Sequence, residues 1–88
     1  MKSAKEMFEA LGYKLVSKQW YLCYERENDY GGIDVVTFLD MGKTIDIYSV
    51  FPIDKHISNK SLTLEELQAI NKQVEELKWK VEEWRVII

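Results

Sequence analysis

Three aspartates, Asp34, Asp40 and Asp46, fall on or beside two neighbouring stretches of strand-like sequence. If Asp34 and Asp46 met across a hairpin, they would form a carboxylate pair suited to acid–base work or to a divalent cation. More often such aspartates mark the solvated face of a sheet. Cys23 lies between aromatic residues with no activating partner in the sequence. A nucleophilic thiol needs a lowered pKa and access, so this cysteine reads as a buried structural residue. His56 forms an Asp-x-His pair with Asp54, a spacing that can bind metal. One histidine and one distant cysteine do not make a zinc site, however, and a solvated loop histidine fits better. Gly31-Gly32 precedes a strand instead of a helix, the wrong context for a phosphate loop. These residues give no catalytic set, metal site or cofactor site, and the chain reads as a non-enzyme.

The aromatic residues offer a different chemistry. Trp20, Tyr21, Tyr24, Tyr30, Phe38, Tyr48 and Phe51 are too many to fit under one pair of helices. Some should lie on the open face of a sheet, where Trp20, Tyr24 and Tyr48, with Lys43 nearby, could stack a base or nucleotide. A second subunit covering that face is the favoured alternative.

Composition narrows the class. The 88 residues are 47% apolar and 31% charged, as in a single folded domain. A chain this short buries only about 60% of its unfolded surface, so added stability from self-association is expected. The lone cysteine suits a reducing compartment. A net charge of −3 argues against direct DNA or RNA binding, which needs a concentrated basic face. The opening residues turn polar where the apolar core of a signal peptide would begin, and no apolar run reaches membrane-spanning length.

The elements follow from periodicity. Ser3 to Leu11 reads as a short helix with an S-x-x-E capping box, one apolar stripe (Ala4, Met7, Phe8, Leu11) and Gly12 as its stop. Tyr13 to Glu27 has strand character, with Ser17-Lys18-Gln19 as a bend or as a tight hairpin that splits it. The bend is preferred. Residues 28–32 form a loop, 33–39 a second strand, 40–43 a turn with positive φ expected at Gly42, and 44–51 a third strand ended by Pro52. Residues 52–61 read as a polar connection. Thr63 begins a second helix with a T-x-x-E capping box, and apolar residues then recur at 67, 70, 74, 77, 81, 84 and 88. The expected fold is α+β in the order α-β-β-β-α: a short N-terminal helix, a three-stranded antiparallel sheet and a long C-terminal amphipathic helix.

A helix from Thr63 to Ile88 would be about 39 Å long at 1.5 Å per residue, against a domain diameter of roughly 30 Å. Residues 79–88 would then form a helical extension, with Leu77, Val81, Trp84 and Ile88 as an interface between copies. The alternative stops the helix near Lys78 or Trp79 and returns residues 84–88 as a fourth strand.

Two segments bracket the strands: Ala4-Lys5-Glu6-Met7-Phe8-Glu9-Ala10-Leu11-Gly12-Tyr13, and Thr63-Leu64-Glu65-Glu66-Leu67-Gln68-Ala69-Ile70-Asn71-Lys72-Gln73-Val74-Glu75-Glu76-Leu77. Together they resemble small phage- and prophage-encoded proteins of low-GC Gram-positive bacteria, a group without assigned catalytic residues. In those proteins the second segment usually ends L-G-W, where this chain has Leu77-Lys78-Trp79. The resemblance implies a cytoplasmic accessory protein of an infected or lysogenic cell. Such a protein would bind a host or phage protein or, alternatively, sequester a signalling nucleotide in anti-defence.

Overall fold

Both helices begin and end by the same local rules. Ser3 Oγ accepts the Glu6 N–H at 3.2 Å and the Glu6 carboxylate accepts the Ser3 N–H at 3.0 Å, a closed capping box at the start of helix α1 (Ala4–Ala10). At the other end the Gly12 N–H donates to the Glu9 carbonyl and the Tyr13 N–H to the Phe8 carbonyl. Gly12, with φ +90°, occupies the left-handed position that this stop requires. Phe8 and Tyr13 then meet edge to face at 5.5 Å, the apolar contact that accompanies such an ending.

The computed structural model describes residues 2–18 and 21–79. After α1 come strands β1 (Lys14–Lys18), β2 (Tyr21–Glu27), β3 (Ile33–Leu39), β4 (Thr44–Phe51) and β5 (His56–Asn59), then helix α2 (Leu64–Glu76). The strands form one antiparallel meander in sequence order. The α+β class stands, but the sheet has five strands where the sequence reading expected three.

Both extra strands have physical explanations. The expected bend near Ser17 is a hairpin, because Lys18 pairs with Tyr21 and Leu15 with Tyr24. No Gly, Asn, Asp or Pro lies between Lys18 and Tyr21, so the usual turn signal is missing from a continuous β-forming run. The segment expected as a polar connection contains β5, a four-residue edge strand with one apolar residue, Ile57. Edge strands are often this short and polar, which hides them from periodicity. The β3–β4 turn also differs in detail. Lys43 (φ 52°), not Gly42, takes the left-handed position.

Strand alternation sorts the side chains into two faces. Leu15, Tyr24, Val36 and Ile47 follow one another across the register and face the helices, as do Leu22, Phe38 and Ile45 on neighbouring rows. The core joins these to Phe8 and Tyr13 on one side and to Ala69, Ile70, Val74 and Trp79 on the other. Phe8 stacks on Tyr24 at 3.9 Å and meets Phe38 edge to face at 6.2 Å.

Helix α2 corrects the sequence reading most. It ends at Glu76, so its 13 residues span about 20 Å and match the domain instead of outrunning it. Lys78 adopts φ 59°, its N–H donates to the Glu75 carbonyl, and the Trp79 N–H donates to the Val74 carbonyl. This is the glycine-type stop of α1 repeated with lysine in the strained position. Trp79 then turns into the core and donates its indole N–H to Asp40 Oδ1 at 2.8 Å. Leu77, expected at an interface between copies, packs against this core. Val81, Trp84 and Ile88, and any fourth strand over 84–88, lie outside the described residues.

The lysine stop carries a clear expectation. Lys78→Gly should stabilise the domain by about 0.5–1 kcal/mol, since glycine takes the left-handed conformation without Cβ strain. Thermal unfolding would show this as a rise of a few degrees; an unchanged or lower midpoint would contradict the helix stop.

Candidate functional site

The buried face of α2 carries two polar residues beside its apolar ones. Glu66 is 1% exposed and Gln73 is 6% exposed, whereas Leu67, expected to be buried, is 41% exposed. Partners on the sheet explain the difference. Gln73 Oε1 accepts the Tyr24 hydroxyl at 2.6 Å, and burial pushes the Tyr24 pKa up to about 12. Glu66 closes the α2 capping box by accepting the Thr63 N–H at 2.9 Å and anchors a larger cluster at the same end of the sheet.

That cluster is built by the β2–β3 hairpin. A five-residue loop, 28–32, sets Arg26 directly opposite Asp34. Both side chains point to the helix side, two residues along from Tyr24 and Val36. Arg26 donates to Asp34 Oδ2 through Nη2 at 2.8 Å and through Nε at 3.3 Å. It also donates to the Leu11 carbonyl at 2.9 Å, reaches Glu66 Oε2 at 3.4 Å, and lies 4.4 Å over the Tyr13 ring. Asp34 Oδ1 accepts from Asn28 at 3.1 Å and from Ser49 at 2.7 Å. Lys60 Nζ donates to both Glu66 oxygens, at 2.8 and 2.9 Å, and to the Ser61 carbonyl at 2.9 Å. The Tyr13 hydroxyl donates to Glu66 as well.

Two cations, Arg26 and Lys60, therefore face two anions, Asp34 and Glu66. Burial works to raise the pKa of Glu66, but the bonds from Lys60, Tyr13 and the Thr63 backbone outweigh it and hold the carboxyl below its ordinary range. Asp34 behaves alike: burial opposes ionisation, while Arg26, Asn28, Ser49 and the charge of Lys60 overcome it. Burial together with the bond to Glu66 raises the Tyr13 pKa and keeps its hydroxyl protonated. Every acceptor position on Asp34 is used, as are all three Lys60 protons. Among the described residues no buried side-chain polar atom lacks a partner. The cluster is a saturated, charge-neutral tie between α1, the sheet and α2. It offers no free base or nucleophile for chemistry.

The residues singled out in the sequence end up apart. Asp34 faces the helices and pairs with Ser49, whereas Asp46 pairs with Thr37 on the opposite face, so the two form no carboxylate pair. Tyr24 is 1% exposed beneath the helices and cannot stack a nucleotide. Tyr48 sits next to Ile47 on the same strand and therefore faces away from Tyr24. Lys43 lies in the β3–β4 turn, 3.9 Å from Asp40 and 5.9 Å over the Trp79 ring. Trp20 lies outside the described residues. Cys23 is buried, beside the Thr37 hydroxyl at 3.5 Å. His56 stacks on Phe51 at 4.6 Å and bonds Asp54 in the exposed β4–β5 turn. No group of three or more potential metal ligands gathers among the described residues.

Sequence reasoning paired neither Arg26 with Asp34 nor Lys60 with Glu66. Arg26 was within reach, because counting outward from the 28–32 loop pairs 27 with 33 and 26 with 34. No comparable signal marked Lys60, whose partner is set by how α2 docks.

Around this cluster the surface is indented. A depression of about 390 Å³ is bordered by Glu27, Asn28, Asp29 and Tyr30, and one of about 270 Å³ by Tyr30, Phe51, Ser58, Asn59 and Ser61. Among the described residues no helix is long and apolar enough to cross a membrane. Compared with known proteins, the chain matches no family, no curated protein and no solved structure.

Proposed function

We propose that the chain is a non-catalytic interaction module that associates with its own copies and acts by binding another protein. Consistent with its opening and closing motifs, that setting would be phage or prophage accessory work in the bacterial cytoplasm. The observation that carries this reading is a concentration of uncovered apolar side chains. Of the seven large apolar side chains that are exposed among the described residues, five lie between positions 53 and 67: Ile53 (94%), Ile57 (69%), Leu62, Leu64 (67%) and Leu67. They run along β5 and the first turns of α2. Scattered apolar residues are ordinary on a surface, but this density in one short segment at the open edge of the sheet, with Ile57 on the face away from the helices and Leu64 and Leu67 on α2, suits an interface. β5 is also the last strand of the sheet, with an outer edge that no described strand pairs.

The saturation of the polar cluster supports the non-catalytic half of the reading. Its carboxylates are held ionised by structural partners, and its tyrosine is held neutral. Self-association is tested by the solution mass of the intact chain and of an Ile57→Lys/Leu64→Lys variant. An oligomer that becomes a folded monomer, with a lowered melting point that no longer depends on chain concentration, is the expected result. A chain that is monomeric from the outset would remove self-association from the proposal.

A further inference from the structure

The two depressions beside the β2–β3 loop share Asn28, Tyr30 and Asp34, so they form one groove with Tyr30 standing as the ridge between its halves. Tyr30 is 85% exposed. The loop that carries it is fixed, because Asn28 Oδ1 accepts the N–H groups of Tyr30 and Gly32, both at 2.9 Å, and the Asn28 N–H donates to the Gly32 carbonyl at 2.9 Å. Gly32 is required by close approach: a Cβ there would come within 2.7 Å of the Phe51 ring and 2.9 Å of Asn28 Nδ2. The loop thus rests directly on the aromatic wall of the second half.

The halves differ in chemistry. One is rimmed by Glu27 and Asp29, and neither joins an ion pair among the described residues. Arg26 lines this half too but is already engaged with Asp34, Glu66 and the Leu11 carbonyl, and Lys14 borders an adjoining depression together with Glu25 and Glu27. Glu25, Glu27 and Asp29 outnumber Lys14 at this end, so this half carries net negative charge. The other half offers the Phe51 ring, held between Gly32 and the stacked His56, beside the hydroxyl and amide groups of Ser58, Asn59 and Ser61 and a Lys60 whose charge is matched by Glu66.

We propose that this groove takes an extended, proline-containing segment of a partner protein, with a lysine or arginine placed against Glu27 and Asp29. The negative rim disfavours phosphate-bearing ligands and selects a cationic one. A proline ring lies flat on exposed aromatics such as Tyr30, and its extended chain loses little entropy on binding. Two grooves in series, with a charge at one end, also fix the direction of the segment. The assignment rests on the protein-binding reading and deepens it by naming the class of partner; the groove adjoins the 53–67 segment, but neither Ile57 nor Leu64 lines it.

The test is titration of the isotopically labelled full chain with a short proline-rich peptide bearing one arginine. Its arginine-to-glutamate counterpart and a proline-free scramble serve as controls, and amide shifts are followed by NMR. The arginine peptide should give saturable shifts confined to 27–32 and 58–61, with the glutamate and scrambled peptides inert. Tyr30→Ala, a substitution at an exposed site, should keep the fold and weaken binding about tenfold, equivalent to 1.4 kcal/mol. Glu27→Lys/Asp29→Lys should abolish binding. No shifts with any peptide, equal binding of the glutamate peptide, or shifts elsewhere on the surface would each overturn the assignment. The solution mass would stand unaffected, so failure here is distinct from failure of self-association.

Discussion

Replacing Glu66 with alanine is expected to cost about 3–5 kcal/mol, the range seen when one partner of a buried ion pair is deleted. A domain of this size is stable by only on the order of 5–10 kcal/mol, so the variant would keep roughly half of its stability and would unfold at a markedly lower urea concentration. The size of the effect follows from what is left behind: Lys60 with its side chain only 10% exposed, Arg26 at 28%, and a Tyr13 hydroxyl without an acceptor. Glu66→Gln keeps the shape and some of the bonds and should fall between the two, losing about 1.5–3 kcal/mol for its charge-assisted contacts. Urea unfolding measures both. If Glu66→Ala lost under 1 kcal/mol, the cluster could not be the tie described above.

The same group sets the acid limb. Glu66 and Asp34 have lower pKa values in the folded chain than in the unfolded one. Their contribution is therefore fully present above the ordinary values of 4.5 and 3.8 and is lost as pH falls below these toward the depressed folded values. Stability should be flat from pH 7 to about 5 and then decline, and Glu66→Ala should flatten that decline. At the other extreme, Tyr24 retains its proton up to about 12 when folded, against 10.0 when unfolded. Its contribution is present below pH 10 and is lost as pH rises through the folded value.

Phe8→Ala should be comparably damaging, by about 3–5 kcal/mol for a fully buried aromatic. Phe8 has no exposed surface and touches the rings of Tyr13, Tyr24 and Phe38. It is also the main reason α1 is helical at all, since a seven-residue helix does not persist without docking. Circular dichroism of the variant should show lost helix together with a lowered melting point. A variant that kept both would mean α1 is held by its caps and by Glu76, which accepts the Ala4 N–H at 2.8 Å.

What was legible in the sequence were features stated by neighbours along the chain. Both capping boxes, the stripe of α1, the 28–32 loop and the bounds of β3 and β4 depend on residues a few positions apart, and all are present. What was not legible depended on distant partners or on atypical residues. The β1–β2 reversal carries no turn residue. The stop of α2 is a lysine doing what glycine usually does; the lack of a glycine there favoured a helix twice as long over the alternative that stopped near Lys78 or Trp79. Ile70, Val74 and Leu77 of the apolar seam do pack on the core, but Glu66 and Gln73 share that face and Leu67 is left exposed, because an acceptor with partners is as well placed in a core as a leucine. The candidate groove was invisible for the same reason: Tyr30, Phe51 and Asn59 meet only after three hairpins have formed.

The meander has a consequence for how quickly the chain reaches this state. Each strand pairs with its sequence neighbour, so the whole sheet assembles by closing short loops, each of which loses little chain entropy. The contact between α1 and α2 is different in kind, as the Ala4–Glu76 bond closes a span of 72 positions. The sheet is therefore a fast, zipper-like component and the helix pair a slow clasp. Its closing brings Tyr13 and Glu66 together, so the ionic cluster is expected to form after the sheet.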